Sequence, residues 1–444
     1  MKRLRTAVVL IALFVCSPIA ARADVVLDWN QIAVTALAGS GQSPFSQARL
    51  MSITQLAVFE AVNRITGDYE PYLGTVEAPV GARADAAAVA AAYRVLKNYI
   101  SAVTFPAVVA SLDASYATSL AAIPNSQAKT DGIATGVAAA DQMIARRVGD
   151  GSAPATNYLP TSTDIGVWQL TPSCPVAGGI NFQWQNITPF GVPSVPGSPA
   201  WIEPFAPAPP PALTSKRYEK DYNEVKRVGN LTSPLSDRPQ DRADVARFYA
   251  AASPAFVFNL VARQLSAAQH KSLSENARAF ALLNMASSDA LVASFWTKYH
   301  DVLWRPETAI RDSRSEDINP KTKSDATFKP YILTPCFPSY PSNHGSGSNS
   351  AAEVIRRIYG AGGHSIDMAN PAVPGLTFHY TKLKQITDDI SDARVFGGIH
   401  YRFDQEAGAD LGRDVAKYVY KHNLRRAKHS GHGHDQDDDE NEDE

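Results

Sequence analysis

The chain has 444 residues, of which 45% are hydrophobic and 19% charged, with a formal net charge of −2. That length exceeds one simple core and implies two domains, or one large helical domain with long excursions. The near-neutral balance gives no basis for nucleic acid or an anionic membrane surface as partner.

The first element is a processing signal. Lys2, Arg3 and Arg5 form a basic head, residues 7–15 an apolar run, and Ala21-Arg22-Ala23 a small-x-small cleavage site. Residues 1–23 therefore read as a signal peptide, with Asp24 starting the mature chain and a periplasmic or secreted destination. Removing its four cations takes the formal charge from −2 to −6. The run is too short for a membrane span, and no later stretch reads as one. Residues 24–150 form an N-terminal helical region. Its segment 47–65 stops at Gly67, and 82–100 and 126–148 are Ala-rich and free of proline. No set of regularly spaced alternating β-branched runs is present.

Residues 151–212 break the pattern, with 13 of the 30 prolines and Trp168, Trp184 and Trp201. Proline is excluded from helix interiors and central strands, so this is a long irregular segment. Its aromatic content implies an ordered loop that either walls a cleft or wraps the surface. Helical periodicity resumes at 216 and defines a C-terminal helical domain at 213–428, interrupted by loop formers at 313–343 and 360–378. Residues 429–444 hold His429, His432 and His434, then eight acids. They read as a disordered solubilising tail, with weak metal binding as the alternative. The mature chain keeps Cys174 and Cys336, which either pair in an oxidising compartment or stay apart as buried thiols.

Three strings in the C-terminal domain share one chemistry. In Lys298-x6-Arg305-Pro306, seven residues are close to two helical turns, which places both cations on one face and a kink or helix end at the proline. The aromatic and aliphatic neighbours Phe295, Trp296, Leu303 and Trp304 suggest burial, and buried cations require an anion. Pro341-Ser342-Asn343-His344 precedes a helical run at 348–359, and free N–H groups at a helix start favour an anion. Arg394-x5-His400-x3-Asp404 places a histidine and a carboxylate four apart, stacked if on a helix. A carboxylate on one ring nitrogen leaves the other as a nucleophile or ligand. Each string alone reads as a solvated stripe, an N-cap or a surface ion pair. Together they are an inventory for holding a tetrahedral oxyanion.

These strings resemble the three motifs of the superfamily of type 2 phosphatidic acid phosphatases and vanadium-dependent haloperoxidases: Lys-x6-Arg-Pro, Pro-Ser-Gly-His and Ser-Arg-x5-His-x3-Asp. Trp304-Arg305-Pro306, the approach Phe337-Pro338-Ser339-Tyr340-Pro341-Ser342 and the run from Gly398 to Asp404 are similar to the haloperoxidase branch. The resemblance implies an all-α fold of helical bundles with long irregular Pro-rich loops. It implies vanadate as cofactor, with phosphate able to occupy the same pocket. His400 would be the metal ligand and Asp404 its orienting partner, with His344 as acid–base group. Lys298, Arg305 and Arg394 would neutralise the anion, Ser342 would donate to it, and Phe337 would lie beside the pocket. The implied reaction is oxidation of halide by hydrogen peroxide to hypohalous acid, with Lys298 polarising the bound peroxide and a small organic acceptor as a further partner. The alternative is a secreted acid phosphatase acting through a phosphohistidine, and a third reading is a catalytically silent oxyanion-binding or metal-responsive protein. Asn343 stands where the family has glycine, so its side chain either crowds or bonds the anion, and its tolerance of left-handed angles would preserve the turn. Ala393 replaces a serine and removes a donor.

Overall fold

The structure is a computed structural model that describes residues 24–428 apart from 176, 196–197 and 233–236. The expected signal peptide at 1–23 and tail at 429–444 lie outside the described residues. Among the described residues, fourteen α-helices and one two-stranded hairpin make an all-α fold. The first five helices are α1 (Val25–Gly39), α2 (Pro44–Thr66), α3 (Ala84–Tyr99), α4 (Pro106–Ala121) and α5 (Gln127–Arg146). After the irregular segment come α6 (Lys216–Val228), α7 (Gln240–Ala250), α8 (Pro254–Ala268), α9 (Leu273–Asp301), α10 (Pro306–Arg311) and α11 (Ser315–Ile318). The chain closes with α12 (Asn343–Tyr359), β1 (Gly362–Ala369), β2 (Thr377–Lys382), α13 (Leu383–Val395) and α14 (Arg402–His422).

Local chemistry sets the ends of these helices. Ser43 caps α2 ahead of Pro44, and Gly67 closes it at φ 72°, the left-handed stop that glycine reaches without a Cβ penalty. Ser272 and Glu275 form a reciprocal capping box at the start of α9. This helix is the axis of the fold, packed on α2, α12 and α14. It is also long and apolar enough to cross a membrane by length and composition, against the expectation that no stretch after the signal peptide reads as a span. Here its surface is buried by neighbouring helices. One hydrophobic core takes residues from both halves of the chain, from Val26 to Leu424. A smaller cluster of Tyr218, Tyr222, Trp304, Tyr401 and Phe403 joins α6 to the start of α14.

Two features bring distant segments to the site. A Cβ at Gly408 or Gly412 of α14 would lie 2.5 Å from the Ser342 carbonyl oxygen or 2.2 Å from that of Ser346. Glycine therefore allows α12 and α14 to pack backbone to backbone. The irregular segment is an ordered brace whose tryptophans are all buried. Trp168 N–H donates to Val302 O at 2.7 Å, Ile180 N–H to Cys336 O at 2.9 Å, and Cys174 is bonded to Cys336.

The hairpin corrects the expectation of loop at 360–378. Ile366 and Met368 of β1 face inward and their neighbours outward, a period-two pattern too short to register as a set of strands. It pairs antiparallel with β2, Ile366 opposite Tyr380.

Candidate oxyanion site

Lys298 lies in the last turn of α9, which ends where Val302 turns left-handed at φ 41°. Arg305 lies beyond that end, at the N-cap of α10, and Pro306 starts a helix instead of ending one. The two cations therefore do not share a helix face; the turn at 302–305 folds Arg305 back beside Lys298. Both are fully buried. The Lys298 ammonium donates to the carbonyls of Ser339 at 2.7 Å and Pro338 at 3.0 Å, and to that of Pro341. Its three N–H bonds thus knit the 338–341 loop. Arg305 donates from Nε to Phe337 O at 2.8 Å and from Nη1 to Ile399 O at 2.9 Å, while Nη2 has no partner. The Phe337 ring lies against both cations, 5.4 Å from Lys298 Nζ and 5.0 Å from Arg305 Cζ.

The second string opens α12 five residues earlier than its periodicity suggests, because Ser342 caps the helix by accepting from Gly345 N–H at 3.2 Å. Asn343 is then the first helical residue and is not among the positive-φ positions, so left-handed tolerance is not what it supplies. Its Oδ1 accepts from the Ser294 hydroxyl on α9 at 2.6 Å, and its Nδ2 has no partner. His344 follows, partly exposed, with Nε2 3.4 Å from Arg394 Nη1. Arg394 sits in the last turn of α13, buried, with Nε and Nη2 unpartnered.

His400 and Asp404 do not stack on one helix face. α14 begins at Arg402, so His400 precedes it and Asp404 is its third residue. The approach turns at Gly398, φ 81°, where a Cβ would lie 2.4 Å from the Gly229 carbonyl oxygen. One oxygen of Asp404, Oδ2, accepts from His400 Nδ1 at 2.7 Å, Ser339 Oγ at 2.6 Å and Tyr401 N–H at 3.1 Å. With its proton on Nδ1, His400 turns an unprotonated Nε2 toward the cations, 2.9 Å from Arg305 Nη1.

Electrostatics point the same way. Burial, then Arg394, Lys298 and Arg305, hold His344 well below the ordinary histidine range. Burial and the same cations, with Arg305 foremost, do so for His400. Burial and then Arg305 depress Lys298 as well, and pull Arg394 down to about 9. Burial raises the Asp404 carboxyl, opposed by Ser339, Lys298 and Arg305. Three buried cations thus face a single carboxylate, an imbalance that an anion would relieve. Arg305 Nη2, Arg394 Nε and Arg394 Nη2 are buried without partners, and planar guanidinium edges of this kind are suited to the oxygens of a tetrahedral oxyanion. His344 also lines a cavity of about 440 Å³ together with Pro44, Gln47, Phe256, Asn370 and Pro371. Among the described residues, the irregular segment lines no part of that cavity; it bonds instead to the backbone of Val302, Trp304 and Cys336.

Sequence reasoning assigned no role to Ser339 or Ser294. Ser339 lies inside the string approaching Ser342, where its proximity to a buried acid leaves no local signal. Ser294 is four residues before Lys298, so helical spacing would place both on one face of α9.

Residues 278–429 match a family model described as the VCPO second helical-bundle domain. Vanadium chloroperoxidase of Curvularia inaequalis is 25% identical over 181 residues, 30% of this chain. The match spans only 29% of that protein's own length. The solved structure of a bacterial vanadium-dependent iodoperoxidase superposes with a TM-score of 0.75 at 24% identity, covering 91% of this chain and 98% of that one. A holo-type bacterial vanadium-dependent chloroperoxidase gives 0.65 at 15% identity, covering 88% and 96%. These two likenesses are of fold.

Proposed function

From the premise that this chain carries the haloperoxidase-type second helical bundle and shares the vanadium haloperoxidase fold, we propose that it oxidises halide with hydrogen peroxide to hypohalous acid, using vanadate held on His400. The observation that carries this reading is the set of unpartnered guanidinium nitrogens on Arg305 and Arg394, two of three buried cations beside a His400 whose unprotonated Nε2 faces Arg305. Bound vanadate supplies the electrophilic centre that activates peroxide toward halide.

The chain's own residues do the rest. Asp404 keeps the His400 proton on Nδ1 and so keeps Nε2 available as ligand. Arg305 and Arg394 present planar N–H edges to the anion's oxygens. Lys298 adds charge and, by its three carbonyl contacts, holds the loop carrying Ser339 and Ser342 in place. His344 stands at the cavity, neutral because burial and the cations disfavour its charge, and accepts a proton from entering peroxide at a ring nitrogen. The donors are fixed before the reactants arrive, which is where such a site gains its rate. The Cys174–Cys336 bond supports an oxidising destination, periplasmic or secreted.

The cradle suits phosphate equally, so the deciding experiment separates the two chemistries. Protein freed of metal and phosphate is assayed for chloride, bromide and iodide oxidation with peroxide, and for phosphomonoester hydrolysis, each with and without vanadate. Halide oxidation that requires vanadate and is suppressed by phosphate is the expected result. Efficient phosphomonoester hydrolysis inhibited by vanadate, with no halide oxidised at any pH, would overturn it in favour of a phosphohistidine phosphatase.

A further inference from the structure

Asn343 is 4% exposed, and inside the protein its carboxamide satisfies only its oxygen. A buried amide N–H pair left without a partner costs about 1–3 kcal/mol, so such a group calls for an explanation. Its neighbours are telling. Asn343 is the first residue of α12, between the Ser342 cap and His344, where helix geometry also leaves backbone N–H groups without intrahelical partners. Its Oδ1 is held by Ser294, one helical turn before Lys298 on α9. The other unpartnered donors of the site belong to Arg305 and Arg394, the two guanidinium groups flanking His400 and His344.

We infer that the Asn343 amide is an additional anion donor of this pocket and that Ser294 is its positioning residue. The inference rests on the oxyanion reading of the site. A carboxamide can present either end, and an oxygen facing the anion would repel it. The Ser294 hydroxyl donates to Oδ1 and so turns Nδ2 the other way. The consequence is a pocket that holds tetrahedral oxyanions more tightly than the same pocket with glycine at 343. Because the extra contact is made to an oxygen, it strengthens phosphate and vanadate binding alike. It does not act on the acid–base group.

The test is calorimetric titration of metal-free, phosphate-free full-length protein with orthovanadate and, separately, with inorganic phosphate, alongside thermal melts. Asn343→Gly should weaken both anions by about tenfold, the effect of one hydrogen bond to a charged group. Asn343→Asp keeps the shape, places an acceptor there, and should weaken both further. Ser294→Ala touches no anion, yet should weaken both several-fold, and Ser294→Ala with Asn343→Gly should be no worse than Asn343→Gly alone. Anion affinities within twofold of wild type in Asn343→Gly, at an unchanged melting temperature, overturn the inference. Additive losses in the double variant overturn the role of Ser294. A wild-type protein that binds neither anion overturns the oxyanion reading itself, and this inference with it.

Discussion

Ser339 and His400 donate to the same oxygen of Asp404, at 2.6 and 2.7 Å. The carboxylate is therefore clamped from the loop side as well as from its own helix, and the imidazole orientation depends on three segments at once. Asp404→Asn should fold, because the amide keeps the volume. It should bind vanadate about 10–100-fold more weakly, the usual consequence of losing the partner of a metal-ligating histidine. Ser339→Ala should cost less, about 3–10-fold, since one of three bonds to that oxygen is removed. His400→Ala should abolish vanadate binding and turnover together. Calorimetric titration and a peroxide-dependent halide assay check all three.

Arg394 separates stability from binding. Two of its guanidinium nitrogens are buried without partners beside other cations. Arg394→Gln removes the charge and keeps much of the packing. The metal-free variant should melt at or above the wild-type temperature, while its vanadate affinity falls at least tenfold. Wild type should gain about 2.7 kcal/mol at a vanadate concentration 100 times its Kd, and the variant far less at that concentration. Thermal melts across a vanadate series measure both effects.

The depressed histidines set a pH dependence with a definite sign. His344 is held well below its ordinary value of 6.5, by burial first and then by Arg394, Lys298 and Arg305. Below pH 6.5 the unfolded chain binds a proton there that the folded chain refuses, so stability is lost as pH falls through that value toward the lower folded one. Metal-free wild type should lose up to about 1.4 kcal/mol per pH unit relative to His344→Asn as pH drops from 6.5. Comparing the two proteins cancels the opposing contribution of the raised carboxyls, Asp404 and Asp289. Denaturant unfolding at a series of pH values gives the slope difference, and parallel profiles would refute the assignment. In the loaded enzyme, His344→Asn should slow turnover by about 100- to 10,000-fold while leaving the anion bound.

The Cys174–Cys336 bond ties the brace to the strand of chain leading into Phe337, across 162 residues. Cys174→Ser with Cys336→Ser should destabilise the protein by about 2–4 kcal/mol. Denaturant midpoints check the magnitude. Thiol labelling of the non-reduced native protein starting at Asp24 should find no reactive thiol.

The chemistry of the site was legible in the sequence because it is carried by residue type and spacing. Lysine, arginine, histidine and aspartate at those intervals already specify three cations, a histidine and its orienting acid, and an Ala-rich, strand-poor pattern already specifies helices. Helix ends were not legible. Val302 stops α9 at φ 41°, a conformation that a β-branched residue adopts only when surrounding packing imposes it. That stop is what moves Arg305 off the helix and back toward Lys298. The capping bond of Ser342 extends α12 to Asn343, and Asp404 becomes a helix-start residue only because the chain turns at Gly398 against Gly229. Ser294 and Ser339 gained their roles solely from neighbours 49 and 65 residues away. Covalent order therefore determined which groups this protein owns. Which of their atoms are left unpartnered was decided by tertiary packing, because a hydrogen bond's availability depends on every other segment competing for it.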